Sequence, residues 1–139
     1  MNEIYYMTEN KKILAKDCLK SKLFSKEGLL KTHLKLLTTA EKDAYLVVAY
    51  DENTAVGCAY FFENSIMIFV KKDYRKKSIG RNMIEKLKNT YDLNTENMCA
   101  WPGKLGIHFF KKMKIEHSDG IKFYQQLGYE IQIPKKLVV

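Results

Sequence analysis

Cysteine, proline and arginine are scarce in this chain, and each scarcity removes a class of protein. The three cysteines, Cys18, Cys58 and Cys99, are odd in number and include no CxxC pair. A disulfide framework and a zinc site of paired thiolates are therefore excluded, and a reducing, cytoplasmic compartment is expected. The only prolines are Pro102 and Pro134, and no Pro-, Gly- or Ser-rich linker interrupts the chain, so residues 1–139 are expected to form a single domain. Of the 24 basic residues only Arg75 and Arg81 are arginine, although the net charge is +8. A basic surface attracts phosphates, but base edges are read mainly by arginine; nucleic acid is thus a partner the charge allows and does not favour, and a generally lysine-rich composition explains the charge as well. Long apolar runs are missing too. AVGCAYFF, from Ala55, is too short to span a bilayer, and MNEIYYMTENKK has no basic start followed by an apolar stretch, so neither export nor a membrane partner is expected.

What is present suits a packed core. Apolar residues make up 46% and charged residues 29%, with nine Tyr and seven Phe, enough to fold without metals or disulfides. Ile4 to Thr8 reads as a short strand and Asn10 to Lys20 as a helix, with Leu14 and Cys18 four apart. From Lys26 to Thr39, Leu29, Leu30, His33, Leu34 and Leu37 recur at helical spacing, and His33 reads as a packed residue. Three runs rich in Val, Tyr, Phe and Ile follow: Ala44 to Tyr50, Ala55 to Phe62 and Ser65 to Val70. Turn residues Asp51 to Thr54, then Glu63 and Asn64, separate them, which predicts a three-stranded antiparallel meander. Ile79 to Thr90 returns to helical period with Ile79, Met83, Ile84 and Leu87 on one face, and Asn97 to Trp101 is a short strand stopped by Pro102 and Gly103. Near the C-terminus GIHFFKKMKIE, from Gly106, and GIKFYQQLGYE, from Gly120, resemble one another; two short amphipathic helices match this well by chance, so they are not taken as a repeat. The sum is a mixed α/β domain.

The stretch IMIFVKKDYRKKSIGRNMIEKL, from Ile66, carries the chemistry. A strand ends at Val70, a mostly basic loop follows, and an amphipathic helix begins near Ile79. Lys71, Lys72, Arg75, Lys76, Lys77 and Arg81 stand there against one acid, Asp73. The unpaired N–H groups and positive dipole end of the helix point into the loop, and small Ser78 and Gly80 let a ligand approach the backbone. Together these features form an anion site suited to a pyrophosphate.

Arg75-x-x-Ser78-x-Gly80 resembles the Q/R-x-x-G-x-G/A signature of the GNAT N-acetyltransferases, which holds the coenzyme A pyrophosphate. IKFYQQLGYE, from Ile121, resembles that family's fYxxLGF segment, and the likeness covers about Ala44 to Ile133. The resemblance implies a GNAT-like α/β fold, a mixed, mostly antiparallel central sheet flanked by helices. It implies acetyl-CoA as co-substrate, held by Phe69, Val70, Arg75, Lys76, Lys77, Ser78, Ile79, Gly80 and Arg81, and no metal. A bulge in the strand ending at Val70 would splay it from the fifth strand, and the pantetheine arm would lie in the gap, with one N–H near Phe69 or Val70 on the oxyanion. An amine would attack the thioester directly, so Cys58 and Cys99 read as core residues and not nucleophiles. Tyr124 is the candidate acid for the departing thiolate, its phenol pKa of about 10 matching an alkyl thiol. Glu63 or His117 is the candidate base.

This chain departs from the family pattern twice. Ser78 replaces the first glycine of the signature and lacks its freedom at positive φ. Between the fifth strand and the Tyr-bearing helix there is extra chain: Gly103 to Met113 has the spacing but carries Phe110, whereas Asp119 to Leu127 has the letters. The acceptor is expected to be a small-molecule amine or a protein lysine or N-terminus, and the assembly a monomer or homodimer. The alternative function is a non-catalytic GNAT-like module that binds coenzyme A or nucleic acid through residues 71–81.

Overall fold

The computed structural model describes residues 3–24, 30–39, 44–62, 65–92 and 99–100. Their elements run β1 (Ile4–Met7), α1 (Lys11–Lys20), α2 (Leu30–Thr39), β2 (Tyr45–Asp51), β3 (Thr54–Phe62), β4 (Ser65–Val70), a 3-10 turn (Lys72–Tyr74), α3 (Ile79–Tyr91) and β5 (Cys99–Ala100). The strands lie in one sheet in chain order. β1 to β4 are antiparallel neighbours, and β5 joins β4 in parallel through Ser65 and Ile66. This is the mixed, mostly antiparallel sheet expected.

Both faces of the sheet are covered, which is why its central strands read as unbroken apolar runs and not as alternations. On one face Leu46, Val48, Tyr50, Cys58, Tyr60 and Met67 pack against Leu14, Ala15 and Cys18 of α1 and Leu30, Leu34 and Leu37 of α2. On the other, Val47, Ala49, Val56, Ala59, Phe61 and Ile66 meet Ile79, Met83, Ile84 and Leu87 of α3. Met83 and Leu87 are fully buried, as the helical spacing predicted. His33 is buried on the α2 face, its ring 5.1 Å from that of Tyr60. Cys58 is fully buried beside Cys18, and that neighbour together with burial holds the Cys18 thiol far above the ordinary range, so Cys18 is not poised to act as a thiolate. The side chain of Cys99 lies outside the described residues.

Two local features differ from the sequence reading. Asp51 and Thr54, read as turn residues, pair with one another, leaving a turn of Glu52 and Asn53 with Glu52 at φ 54. The bulge expected in β4 is absent from the β3–β4 ladder, whose register runs unbroken from Phe62↔Ser65 to Gly57↔Val70. The irregularity lies one strand earlier. Ala49 faces Gly57 while Tyr50 faces Ala55, so Val56 is the extra residue on β3. A bulge turns two successive residues toward one side, and here Val56 and Gly57 both look toward α3.

At Gly57 the strand and helix approach closely. A Cβ there would stand 3.3 Å from Met83 Cε, 3.3 Å from the Phe69 carbonyl oxygen and 3.4 Å from Ile79 Cγ2. Gly57→Val should lower the unfolding free energy by about 1–3 kcal/mol, the usual result of overpacking a dense core, seen as a lower urea midpoint. An unchanged midpoint would mean that α3 can shift away from β3 freely.

Candidate anion-binding site

The loop between β4 and α3 is bent by its backbone before any side chain is considered. Lys76 has φ 60 and Ser78 has φ 63, both left-handed, with Lys77 between them. Such alternation of φ sign turns successive N–H groups toward one side and makes a nest for an anion. Ser78 occupies the N-cap of α3 without capping it: its side chain makes no cap hydrogen bond, and the first helical bond runs from Asn82 N–H to Ser78 O at 2.9 Å. The N–H groups of Ile79, Gly80 and Arg81 precede that bond and have no intrahelical acceptor. Among the described residues no hydrogen bond occupies them, or the N–H groups of Lys76 and Ser78. Lys76, Lys77, Ser78 and Arg81 are exposed, so the helix dipole, the free amides and the cations all act on the same space.

The end of β4 is set by ladder geometry. Lys71 N–H donates to Val56 O at 2.9 Å, continuing the β3–β4 register by one residue. In an antiparallel pair, residues alternate between facing the partner and turning away. Lys71 and Phe69 therefore direct their backbone groups to β3, while Val70 and Ile68 direct theirs toward the β5 side. The position of the Phe69 carbonyl against Gly57 agrees. Arg75 fits the same geometry: its Nε donates to Val70 O at 2.9 Å, and its guanidinium carbon stands 5.7 Å from the centroid of the Phe69 ring. Arg75 thus braces the strand end.

Phe69, Val70, Arg75, Lys76, Lys77, Ser78, Ile79, Gly80 and Arg81 are accordingly brought together at one end of the sheet, with different parts. Phe69 supplies a ring that supports Arg75, and its backbone is engaged with β3. Ile68 was missed in the sequence and follows from counting back two residues from Val70. Tyr74 was also missed: its hydroxyl donates to Asp51 Oδ2 at 2.6 Å, a contact that no local signal announces. Glu63, His117 and Tyr124 lie outside the described residues, as do Phe110 and both candidate helices near it. Among the described residues no His, Cys, Asp and Glu cluster is suited to a metal ion, and no helix is long and apolar enough to cross a membrane.

A family model described as an acetyltransferase (GNAT) domain matches residues 42–131. No curated protein matches in sequence. Among solved structures, AAC(6')-Iy in complex with the bisubstrate analogue CoA-S-monomethyl-acetylneamine aligns at TM-score 0.57 with 12% identity, over 97% of this chain and 99% of that one. A predicted acetyltransferase with acetyl-CoA from Clostridium acetobutylicum aligns at 0.56 with 15% identity, over 85% and 93%. A ribosomal-protein-alanine N-acetyltransferase from Brucella melitensis biovar Abortus 2308 aligns at 0.54 with 16% identity, over 99% of each. At such identities the likeness is one of fold.

The left-handed cap makes a stability prediction independent of any ligand. A side chain at positive φ is strained by about 1–2 kcal/mol, part of which glycine returns as unfolded-chain entropy. Ser78→Gly should therefore raise the unfolding free energy by about 1 kcal/mol or less in urea titration. A loss of stability would contradict the left-handed geometry.

Proposed function

The chain belongs to the GNAT acetyltransferase family, and on that premise we propose that it moves an acetyl group from acetyl-CoA to a primary amine by direct attack. The observation that carries this reading is the backbone nest at the N-terminus of α3, with left-handed Lys76 and Ser78, the first-turn amides of Ile79, Gly80 and Arg81, and exposed cations around them. A pyrophosphate is doubly charged and rich in acceptors, which is what that surface lacks. With phosphates there, the pantetheine arm extends along the β5 side of β4, where Ile68 and Val70 offer backbone groups. The Val70 N–H is then the nearest donor for the oxygen of the attacked thioester, and a fixed dipole at that point lowers the barrier by stabilising charge as it develops.

Proton transfers are assigned to residues beyond those described. Tyr124 gives a proton to the departing thiolate, and Glu63 or His117 removes one from the amine, directly or through water. The acceptor is a small-molecule amine or a protein lysine or N-terminus. Of the similar structures, one is complexed with an analogue joining coenzyme A to an aminoglycoside fragment and another is named for protein alanine, so both acceptor classes suit the fold. The remaining parts of the reading are a single domain over residues 1–139, a cytoplasmic location, and a monomer or homodimer.

The test follows thiol release from acetyl-CoA over a panel of polyamines, aminoglycosides, amino acids and basic peptides, with coenzyme A affinity measured by calorimetry. Ser78→Glu should abolish binding and turnover by adding bulk and like charge to the nest, whereas Ser78→Gly should keep both. Tyr124→Phe should keep affinity and lower turnover by about 10²- to 10⁴-fold, the range for a general acid. Equal coenzyme affinity in the two Ser78 variants would place the phosphate site elsewhere. Binding without thiol release from any acceptor would favour a non-catalytic module.

A further inference from the structure

One contact ties the cationic loop to a residue far away in sequence. Tyr74, the last residue of the 3-10 turn, donates its hydroxyl to Asp51 Oδ2 at 2.6 Å. Asp51 ends β2 beside the two-residue hairpin turn, on the opposite side of β3 from β4. Its other oxygen, Oδ1, is buried and has no hydrogen-bond partner among the described residues. The carboxylate holds the Tyr74 hydroxyl above the ordinary phenol range, so the tyrosine stays a donor. Its ring packs against the core beneath α3 and lies 6.0 Å from Lys77 Nζ. Lys77 is the residue between the two left-handed ones.

Resting on the acetyl-CoA reading above, we propose that Asp51 and Tyr74 are positioning residues for the coenzyme, fixing the phosphate nest before the ligand arrives. The carboxylate fixes the tyrosine, and the tyrosine fixes the turn and the Lys77 side chain that follow. The backbone at residues 76–78 is then held in its strained form, which a freely moving loop would abandon. Preorganisation of this kind strengthens binding because the ordering has been completed in advance. Neither residue touches the reacting atoms, so the effect falls on coenzyme binding and not on the chemical step.

The experiment compares wild type, Tyr74→Phe, Asp51→Ala, the double variant and Asp51→Asn. It reads coenzyme A affinity by calorimetry, KM for acetyl-CoA and kcat by thiol release, and Tm. Tyr74→Phe and Asp51→Ala should each weaken coenzyme binding and raise its KM by about 5- to 20-fold, less than the full value of a hydrogen bond to a charged group because the tether acts on the nest indirectly. kcat and the acceptor KM should not change. The two factors should fail to multiply in the double variant, because both substitutions remove the same tether. Removing both partners also removes the stranded carboxylate, so the double variant should regain a Tm near wild type while its KM stays raised. Asp51→Asn keeps an acceptor oxygen and should restore part of the affinity. Wild-type affinity in Tyr74→Phe, independent factors in the double variant, or a KM that recovers with Tm would each overturn the proposal. If wild type itself binds no coenzyme A, the acetyl-CoA reading falls first and the tether with it.

Discussion

Helix α3 approaches β3 so closely at Gly57 that an added side chain there would be crowded, and the placement of the anion site follows from that contact. At Gly57 a single methyl group would meet Met83, Ile79 and the Phe69 carbonyl at 3.3 to 3.4 Å. The bulge at Val56 turns two neighbouring residues toward the helix, and glycine at the second lets the helix settle against the strand. Further along, α3 is held by Asn82 Nδ2 donating to the Tyr6 hydroxyl at 3.1 Å and by the Tyr91 hydroxyl donating to Thr8 O at 3.3 Å. With the helix fixed against β3 and β4 ending at Val70, the intervening loop has little freedom in where it presents the first-turn amides.

That loop is strained at two residues and anchored at three. Left-handed backbone at Lys76 and Ser78 is unfavourable for side chains bearing a Cβ. The Lys71 amide on Val56, the Arg75 guanidinium on Val70 and the Tyr74 hydroxyl on Asp51 hold the surrounding chain. Strain kept at a site and supported from outside it is a common sign of function, and here its effect is to aim several unpaired amides at one point in a cationic field. The same arrangement is poor as a mere surface loop, where water would satisfy the amides in any conformation.

The meander and α3 were legible because their apolar runs and helical spacing are long and bounded by turn residues, and both were found with ends within a residue or two. The hairpin was read too wide, since Asp51 and Thr54 have turn chemistry and the ladder pairing that claims them is a non-local fact. The bulge was assigned to β4 from family resemblance. In a sheet buried on both faces, an extra Val at position 56 leaves no break in the apolar pattern, so this separate irregularity in β3 could not be read. For the candidate site, charge and the small residues pointed to the loop in which the left-handed backbone of Lys76 and Ser78 lies. The sign of φ at Lys76 did not show in a lysine, and the bond from Tyr74 to Asp51 joins residues 23 apart in sequence.

Amide spectra of the isotopically labelled protein titrated with coenzyme A test the central claim most directly, because they report on the N–H groups themselves. Phosphate bound in the nest predicts the largest shifts at Lys76, Ser78, Ile79, Gly80 and Arg81, with a further shift at Val70 from the pantetheine arm. Unmoved resonances at those residues, with shifts confined to α1 and α2, would contradict it.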